Sequence, residues 1–246
     1  MISLTVLISL FLITGTTPVD NDKIDQAREY LRTDYERAIT LSEEILNDDP
    51  DNIDALWIKS VAYSNVANYR EGADKEELFE KADKLADKAL SIRDDYADAH
   101  YAKAVALGRK AEAAGVRDGV RLSREIKESV EHAIEHDPEH GGAWYINGML
   151  LYRVANLSRM ERMAANALFG GFPFEASDEE AIEALEKAIQ YSPDNIYYHV
   201  GFAEVLKSND KNGEARRVLE KAQELEPVTP EDPDHLDRVN EMLSSL

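Results

Sequence analysis

The chain has 246 residues and no cysteine, and its 49 Asp and Glu against 28 Lys and Arg give a formal net charge of −21. An apolar fraction of 43% is sufficient for a buried core and too high for a disordered acidic chain. The lack of cysteine excludes disulfides, thiolate metal ligands and thiol nucleophiles. The acidity argues against nucleic acid as a partner, since phosphates attract Lys and Arg, and against acidic cytoskeletal polymers.

The first 19 residues, Met1–Val19, carry no charge and differ from the rest of the chain, residues 20–246. Within them the mostly apolar run Ile2–Ile13 precedes Thr14-Gly15-Thr16-Thr17-Pro18. Such a run before small residues is typical of a signal peptide, and it is shorter than the about 20 residues of a membrane span. No Lys or Arg precedes the run, so an uncleaved leader that tethers the protein to a membrane is the alternative. We therefore expect an exported protein, periplasmic or secreted.

From Ile24 onward, apolar residues recur at the three- and four-residue spacing of helices. Five sets of small or apolar residues, each followed by a Pro or an Asp, recur along the chain. The sets are Ala38, Ser42, Ile45 and Pro50; Ala82, Ala86, Ala89 and Asp94; Ile126, Val130, Ala133 and Pro138; Ala181, Leu185, Ala188 and Pro193; and Ala215, Leu219, Ala222 and Pro227. The last two sets are 34 residues apart, which is the period of a tetratricopeptide repeat.

Each set predicts the second helix of a helix pair, and the Pro or Asp ends that helix. These ends lie 44, 44, 55 and 34 residues apart, which predicts insertions of 10, 10 and 21 residues between first and second helices. The first helices are predicted over Ile53–Tyr69, Ala97–Ala114, Gly141–Leu157 and Ile196–Ser208, with a partial one over Ile24–Leu31. Glu231–Leu246 is predicted to be a capping helix. The sequence therefore predicts an all-α fold: an α-solenoid of tetratricopeptide-like helix pairs with insertions and a C-terminal capping helix.

One stretch carries a more specific pattern than the repeat consensus. It contains Asn156-Leu157-Ser158, Glu161-Arg162 and Ala167-Leu168-Phe169-Gly170, and it continues through Lys187-Ala188 to Ser192-Pro193. This pattern resembles the regulator of microtubule dynamics family, which includes a mitochondrial protein first named as a tyrosine-phosphatase-interacting protein. The resemblance extends over Ile24–Leu246. It implies a tetratricopeptide-like domain that serves as an interaction or lipid-handling module and has no catalytic residues.

Aromatic residues of the first helices form the predicted ligand-binding groove, because first helices line the concave face of such a solenoid. They are Trp57, Tyr101, Tyr145, Tyr152 and Tyr197. Aromatic rings with a polar edge provide good contact surface for peptides or amphiphiles. The alternative is that these rings pack in the core between helices.

Arg153, Arg159 and Arg162 form a basic cluster in an otherwise acidic chain and are candidate ligands for an anionic head group. The insertion that carries two of them has Met160 and Met163 on one helical side, a surface suited to an acyl chain. Because its Ala-Leu-Phe sequence is typical of a core, we expect the insertion to pack against the solenoid instead.

The run from His132 to His136 matches the pattern H-x-x-E-H, in which two histidines bind a metal and Glu135 would act as general base. A metal-dependent hydrolase at His132 and His136 is therefore one alternative function. The same residues form the last turn of a predicted second helix, where Ala133 is a packing residue and histidine suits the helix dipole. We accordingly assign no metal, no other cofactor and no catalytic residue.

The sequence thus favours a non-catalytic, exported tetratricopeptide-repeat scaffold that holds a peptide or protein partner in its concave groove. The alternative is a lipid-binding or phospholipid-transfer module that uses the same groove and the insertion containing Arg159, Arg162 and the methionines. The net charge and the export signal argue against microtubule binding.

Overall fold

A computed structural model describes residues 21–112, 114–169 and 171–246, with the side chains of residues 116, 168 and 169 left aside. The predicted leader, Met1–Val19, lies outside the described residues. Within them the chain forms helices and turns, with no strand. No helix of this part of the chain combines the length and the apolar character that a membrane crossing requires.

Twelve α-helices follow one another in the described chain, and a short 3-10 turn over Ala67–Tyr69 follows the third. Their bounds are α1 Asn21–Thr33, α2 Tyr35–Asp48, α3 Ile53–Val66, α4 Gly72–Ile92, α5 Ala97–Glu112, α6 Val116–His136, α7 Gly141–Ala155, α8 Arg159–Phe169, α9 Asp178–Tyr191, α10 Ile196–Ser208, α11 Asn212–Gln223 and α12 Asp232–Ser244. The predicted first helices correspond to α1, α3, α5, α7 and α10, and the predicted cap corresponds to α12. The all-α solenoid is confirmed.

Local signals in the sequence explain where many of these helices begin. The side chains of Asp34, Asn52 and Asn195 each accept a hydrogen bond from a backbone N–H in the first turn of α2, α3 and α10. Ser177 and Glu180 form a reciprocal capping box at the start of α9. These contacts satisfy backbone donors that have no partner inside the helix.

The packing residues predicted for the second helices are all buried, from Ala38 in α2 to Ala222 in α11. Small side chains at these positions allow two antiparallel helices to approach closely. The first two insertions lengthen the second helices, since α4 and α6 have 21 residues each whereas α11 has 12. The third insertion forms a separate helix, α8, which packs against α6.

The helices form two rows. Successive members of the inner row (α1, α3, α5, α7, α10 and α12) contact one another. The outer row consists of α2, α4, α6, α9 and α11, and within the described residues these helices contact the inner row but not each other. A row whose helices lie closer together is the inside of a bend, so the inner row lines the concave face of the solenoid.

Candidate ligand-binding groove

The five aromatic residues predicted for the groove all lie on inner-row helices: Trp57 on α3, Tyr101 on α5, Tyr145 and Tyr152 on α7, and Tyr197 on α10. Trp57 and Tyr145 are buried, with exposed fractions of 7% and 6%, and Tyr101 and Tyr152 are half-buried. Of the five, Tyr197 is the most exposed, at 39%. The aromatic row is therefore mainly the floor of the groove, and a direct role of these residues in ligand binding stays a prediction.

The floor is a tightly packed tyrosine cluster between α7 and α10. The ring of Tyr145 stacks on Tyr198 with centroids 4.4 Å apart, and Tyr197 lies 5.0 Å from Tyr145. Gly201 makes this approach possible, because a Cβ atom there would lie 2.5 Å from the Tyr145 hydroxyl oxygen. Burial raises the pKa of both Tyr145 and Tyr198 well above 10, so their hydroxyls stay neutral at physiological pH.

Near the first repeat, the carboxylate of Asp54 collects three donors from different parts of the chain. Arg28 Nη2 donates at 2.7 Å, Trp57 Nε1 donates at 3.2 Å, and the Tyr96 hydroxyl also donates. Burial alone would raise the pKa of Asp54, but the hydrogen bonds from Tyr96, Trp57 and Arg28 outweigh it and lower that pKa. Burial and the bond to Asp54 raise the pKa of Tyr96 to about 12. The carboxylate of Asp54 therefore stays ionised and the hydroxyl of Tyr96 stays neutral. Their hydrogen bonds link α1, α3 and the turn before α5.

The two ends of the solenoid meet through side chains. Tyr35 and Tyr69 each donate a hydrogen bond of 2.6 Å to Glu231, one to each carboxylate oxygen. Arg32 Nη2 forms an ion pair of 2.8 Å with Asp194. We call these five residues the clasp, because they join the first two helix pairs to the turns before α10 and α12. Burial and the contact with Glu231 raise the pKa of both tyrosines.

The arginine cluster is largely engaged in local contacts. Arg153 forms an ion pair of 2.5 Å with Glu161, and Arg162 donates to the carbonyl of the last residue of α7 at 3.1 Å. Arg159 is exposed at the start of α8. Arg153 and Arg162 both make their contacts across the α7–α8 turn, and a role of the three arginines in head-group binding stays a prediction.

The insertion packs against the solenoid through α8, and its methionine side faces solvent. Met160 is 81% exposed and Met163 is 61% exposed, whereas Ala165 is buried. The reason is helical geometry: Ala165 lies on the side of α8 opposite the two methionines, and α8 packs against α6. The methionines therefore form an exposed apolar surface beside the arginines.

Next to α8 there is an apolar cleft of about 350 Å³, at the lower end of the range of about 300–1,000 Å³ for ligand pockets. It lies between α5, α6, α7 and the segment after α8. Its apolar lining includes Ile126, Ile146, Leu150, Val154, Leu157 and Phe172, and Arg153 and Glu161 also line it. A second cleft of about 360 Å³ has a polar lining that includes Lys127, Glu175, Glu183 and Lys187.

In the structure a third histidine, His100, lies close to the two histidines of the H-x-x-E-H run, and the sequence did not indicate this. His132 and His136 lie on one side of α6, and His100 of α5 faces them across the helix pair. Burial lowers the pKa of His100; its bond to the Asp94 carbonyl opposes this, and the neighbouring His132 and His136 add to the lowering. His100 lies 32 and 36 positions before the other two histidines, and nothing in the sequence indicates that they are close in space. Only the antiparallel packing of α5 and α6 brings them together.

The family model and the curated proteins that match this chain all name the same family. The family model described as Regulator of microtubule dynamics protein 1-3 matches residues 21–246. Among curated proteins, Regulator of microtubule dynamics protein 3 of Rattus norvegicus is 32% identical over 181 residues, which is 73% of this chain and 38% of that protein. Regulator of microtubule dynamics protein 2 of Homo sapiens is 26% identical over 80% of this chain and 48% of its own length. The match therefore spans less than half the length of these curated relatives.

Solved structures confirm the fold class. A thermophilic tetratricopeptide-repeat protein of Thermus thermophilus superposes with a TM-score of 0.65 at 17% identity, covering 91% of this chain and 98% of that one. PilF of Pseudomonas aeruginosa superposes with a TM-score of 0.53 at 15% identity, covering 92% and 87%. At these identities the likeness concerns the fold alone.

Proposed function

The chain belongs to the regulator of microtubule dynamics family, and from that premise we propose that it is a non-catalytic scaffold whose groove holds a peptide or protein partner. The observation that carries the proposal is the clasp. Its hydroxyl, carboxylate and guanidinium groups bond one another across the ends of the groove, and a polar partner can replace each of these bonds. A groove that is held closed by replaceable bonds suits reversible binding of an extended segment.

The partner that fits this groove best carries Lys and Arg. Asp194 and Glu231 place carboxylates at the clasp, and the whole chain has a net charge of −21. Such a field attracts basic segments and speeds their association. It also repels an acidic polymer surface, so we propose that any link to microtubules, which the relatives' names suggest, passes through a partner protein.

A peptide selection tests the proposal. The purified chain is used to select binders from a random peptide library displayed on phage, and each selected peptide is synthesised with a fluorescent label. We expect basic peptides whose affinity decreases with salt, and whose dissociation constant rises at least tenfold in Asp194→Asn and Tyr197→Ala. The matched control is Ile92→Ala, which removes an exposed apolar side chain from the outer row. Peptides that ignore both groove substitutions but lose affinity for the control variant would refute a groove site.

A lipid-binding module is the second candidate, and it is favoured by the apolar cleft beside the exposed Met160 and Met163. The cleft offers room for an acyl segment, and Arg153 in its lining, with Arg159 and Arg162 nearby, offers cations for an anionic head group. Native mass spectrometry of the purified chain is the first test, because a phospholipid that survives washing would support this function. A mass without any bound lipid would count against it.

Flotation with vesicles separates the head-group role from the cleft. We expect the chain to bind vesicles of phosphatidylcholine that contain phosphatidic acid, and the double variant Arg159→Glu with Arg162→Glu to lose that binding. The matched double variant Arg216→Glu with Arg217→Glu makes the same charge change on α11, away from the cleft. An equal loss of vesicle binding in both double variants would mean that net charge alone explains it, and that Arg159 and Arg162 have no specific role in binding the head group.

Export is a further part of the proposal and rests on the uncharged leader Met1–Val19. Its test is the mass of the N-terminal peptide of the protein recovered from its native cell. A mature N-terminus near Thr17 in a periplasmic or secreted fraction would support cleavage, and an intact leader in a membrane fraction would support tethering. An intact leader in the soluble cell interior would overturn both.

A further inference from the structure

Three histidines converge between the helices of the third pair. His100 comes from the first turn of α5, and His132 and His136 come from the last two turns of α6. One ring nitrogen of each lies within 4.8 Å of those of the other two. We propose that His100, His132 and His136 form a binding site for a divalent transition-metal ion of the zinc class. The proposal is independent of the groove and of its ligand.

The hydrogen bonding of His100 orients it for this role. The residue is buried, at 9% exposed, and its Nε2 lies 2.7 Å from the carbonyl oxygen of Asp94. A carbonyl can only accept, so Nε2 carries the proton and Nδ1 keeps its lone pair. Histidines that bind metals commonly donate their other ring N–H to a carbonyl or carboxylate in this way. The bond fixes both the tautomer and the direction of the ring.

The two histidines of α6 complete the site from its open side. Because they are four residues apart, they lie one above the other on one helical face. Their ring centroids are 5.0 and 5.9 Å from that of His100. His132 Nδ1 lies 3.6 Å from Glu135 Oε2, so a carboxylate stands beside one ring nitrogen of this histidine. Both rings are exposed, which gives an ion direct access from solvent.

The donor set selects the class of ion. Three neutral imidazoles suit zinc, copper, nickel and cobalt, whereas calcium and magnesium require oxygen ligands. Zinc–nitrogen bonds of about 2.0–2.1 Å in a tetrahedron place nitrogens roughly 3.3 Å apart, so small rotations of the two exposed rings are enough. A water molecule would complete the tetrahedron around the bound ion. Neither of the two clefts described above is lined by these histidines.

The site lies where an ion would fasten the two helices of one pair to each other. His100 follows the turn between α4 and α5, and His136 precedes the turn between α6 and α7. A metal held by both would link the start of one helix to the end of the next at the side opposite their connection. Binding to the folded state alone raises the stability of that state.

Titration of the full chain with zinc tests the site. The protein is prepared without a histidine tag, treated with a chelator and dialysed, and zinc chloride is then added in a calorimeter. We expect one ion per chain, and a melting temperature higher by roughly 5–10 °C at a hundredfold excess over the dissociation constant. Cobalt chloride gives an independent signal, because tetrahedral nitrogen ligation produces a visible absorption band that six-coordinate aqueous cobalt lacks.

Substitution decides between this site and scattered surface binding. His132→Gln and His136→Gln alter exposed side chains, so both variants should fold and each should weaken zinc binding at least tenfold. The matched control His235→Gln should bind zinc as the unaltered chain does, and so should His140→Gln, whose ring caps α7 nearby. No saturable binding, or equal loss in His132→Gln and His235→Gln, would overturn the proposal.

Discussion

The hydroxyl of Tyr35 donates a hydrogen bond of 2.6 Å to Glu231, 196 positions later in the chain. In most solenoids each repeat contacts only its neighbours, and stability is a sum of local terms. Here side chains add a direct connection between the ends, while the helix pairs at the two ends have no backbone contact in the described chain. A few side-chain bonds therefore join the ends in addition to the packing between neighbouring helices.

Removal of the clasp hydroxyls is the first test of this connection. In the double variant Tyr35→Phe with Tyr69→Phe, we expect the ends to separate and the free energy of unfolding to fall by about 1–3 kcal/mol, since two bonds to a carboxylate are lost. Because the chain has no cysteine, spin labels at Thr33→Cys and Asp234→Cys report the end-to-end distance by electron resonance. The control Tyr30→Phe keeps a ring that lies under Arg37. A distance distribution unchanged in the double variant would contradict a structural role for the clasp.

A pair of glycines tests the packing of α7 in the inner row against α9 in the outer row. A Cβ atom at Gly148 would lie 2.6 Å from Leu185 Cγ, whereas one at Gly108 would have no neighbour within 4 Å. We expect Gly148→Ala to destabilise the fold by about 1–3 kcal/mol through overpacking. Gly108→Ala should stabilise it by about 0.5–1 kcal/mol, because alanine is the better helix former. Denaturant unfolding measures both, and effects of the same sign would contradict the α7–α9 contact.

Asp54 and Asp51 allow a half-buried carboxylate that accepts several hydrogen bonds to be compared with a carboxylate in a surface ion pair. Asp54 accepts from Arg28, Trp57 and Tyr96, whereas the exposed Asp51 forms a surface ion pair with Lys88. We expect Asp54→Asn to cost about 1–3 kcal/mol, because an amide oxygen cannot serve three donors as the carboxylate does. Asp51→Asn should cost under about 0.5 kcal/mol. Thermal unfolding of the two variants side by side checks the difference. Equal losses would show that the hydrogen bonds to Asp54 stabilise the fold no more than a surface ion pair does.

The repeat core could be predicted from sequence because its signal is local and recurrent. Residues such as Ala82, Ala86 and Ala89 recur at helical spacing, and every such position is buried. Helix bounds agreed within a few residues, since caps and turn residues act over one turn. The family resemblance came from a short run around the α7–α8 turn and is confirmed over residues 21–246.

Contacts between distant residues had no such signal. Tyr69 and Glu231 are 162 positions apart, and nothing in either neighbourhood indicates the other. The same is true of His100, which joins His132 and His136 only through the packing of α5 on α6. The sequence also does not indicate which side of α8 faces the solenoid, because both sides carry apolar residues and only the contact with α6 decides which side is buried.

The pH dependence of stability should depend on His199, which is fully buried in α10. Its Nδ1 bonds the Asn195 carbonyl at 2.9 Å, and its Nε2 has no partner within the described chain. Burial lowers the pKa of this histidine; the bond to Asn195 opposes the shift, and Lys221 adds to it. The unfolded chain therefore takes up a proton before the folded one as the pH falls.

The contribution of His199 is accordingly complete above the ordinary histidine pKa of about 6.5 and is lost as the pH decreases below it. We expect the unaltered chain to lose stability between pH 7 and pH 5, by at most about 1.4 kcal/mol per unit from this residue. In His199→Leu the decline should be shallower, although not absent, because the pKa of His100 is lowered as well. Urea unfolding at each pH, with a chelator present, measures the two slopes. Parallel curves for the two proteins would mean that His199 takes up its proton equally easily in the folded and unfolded states.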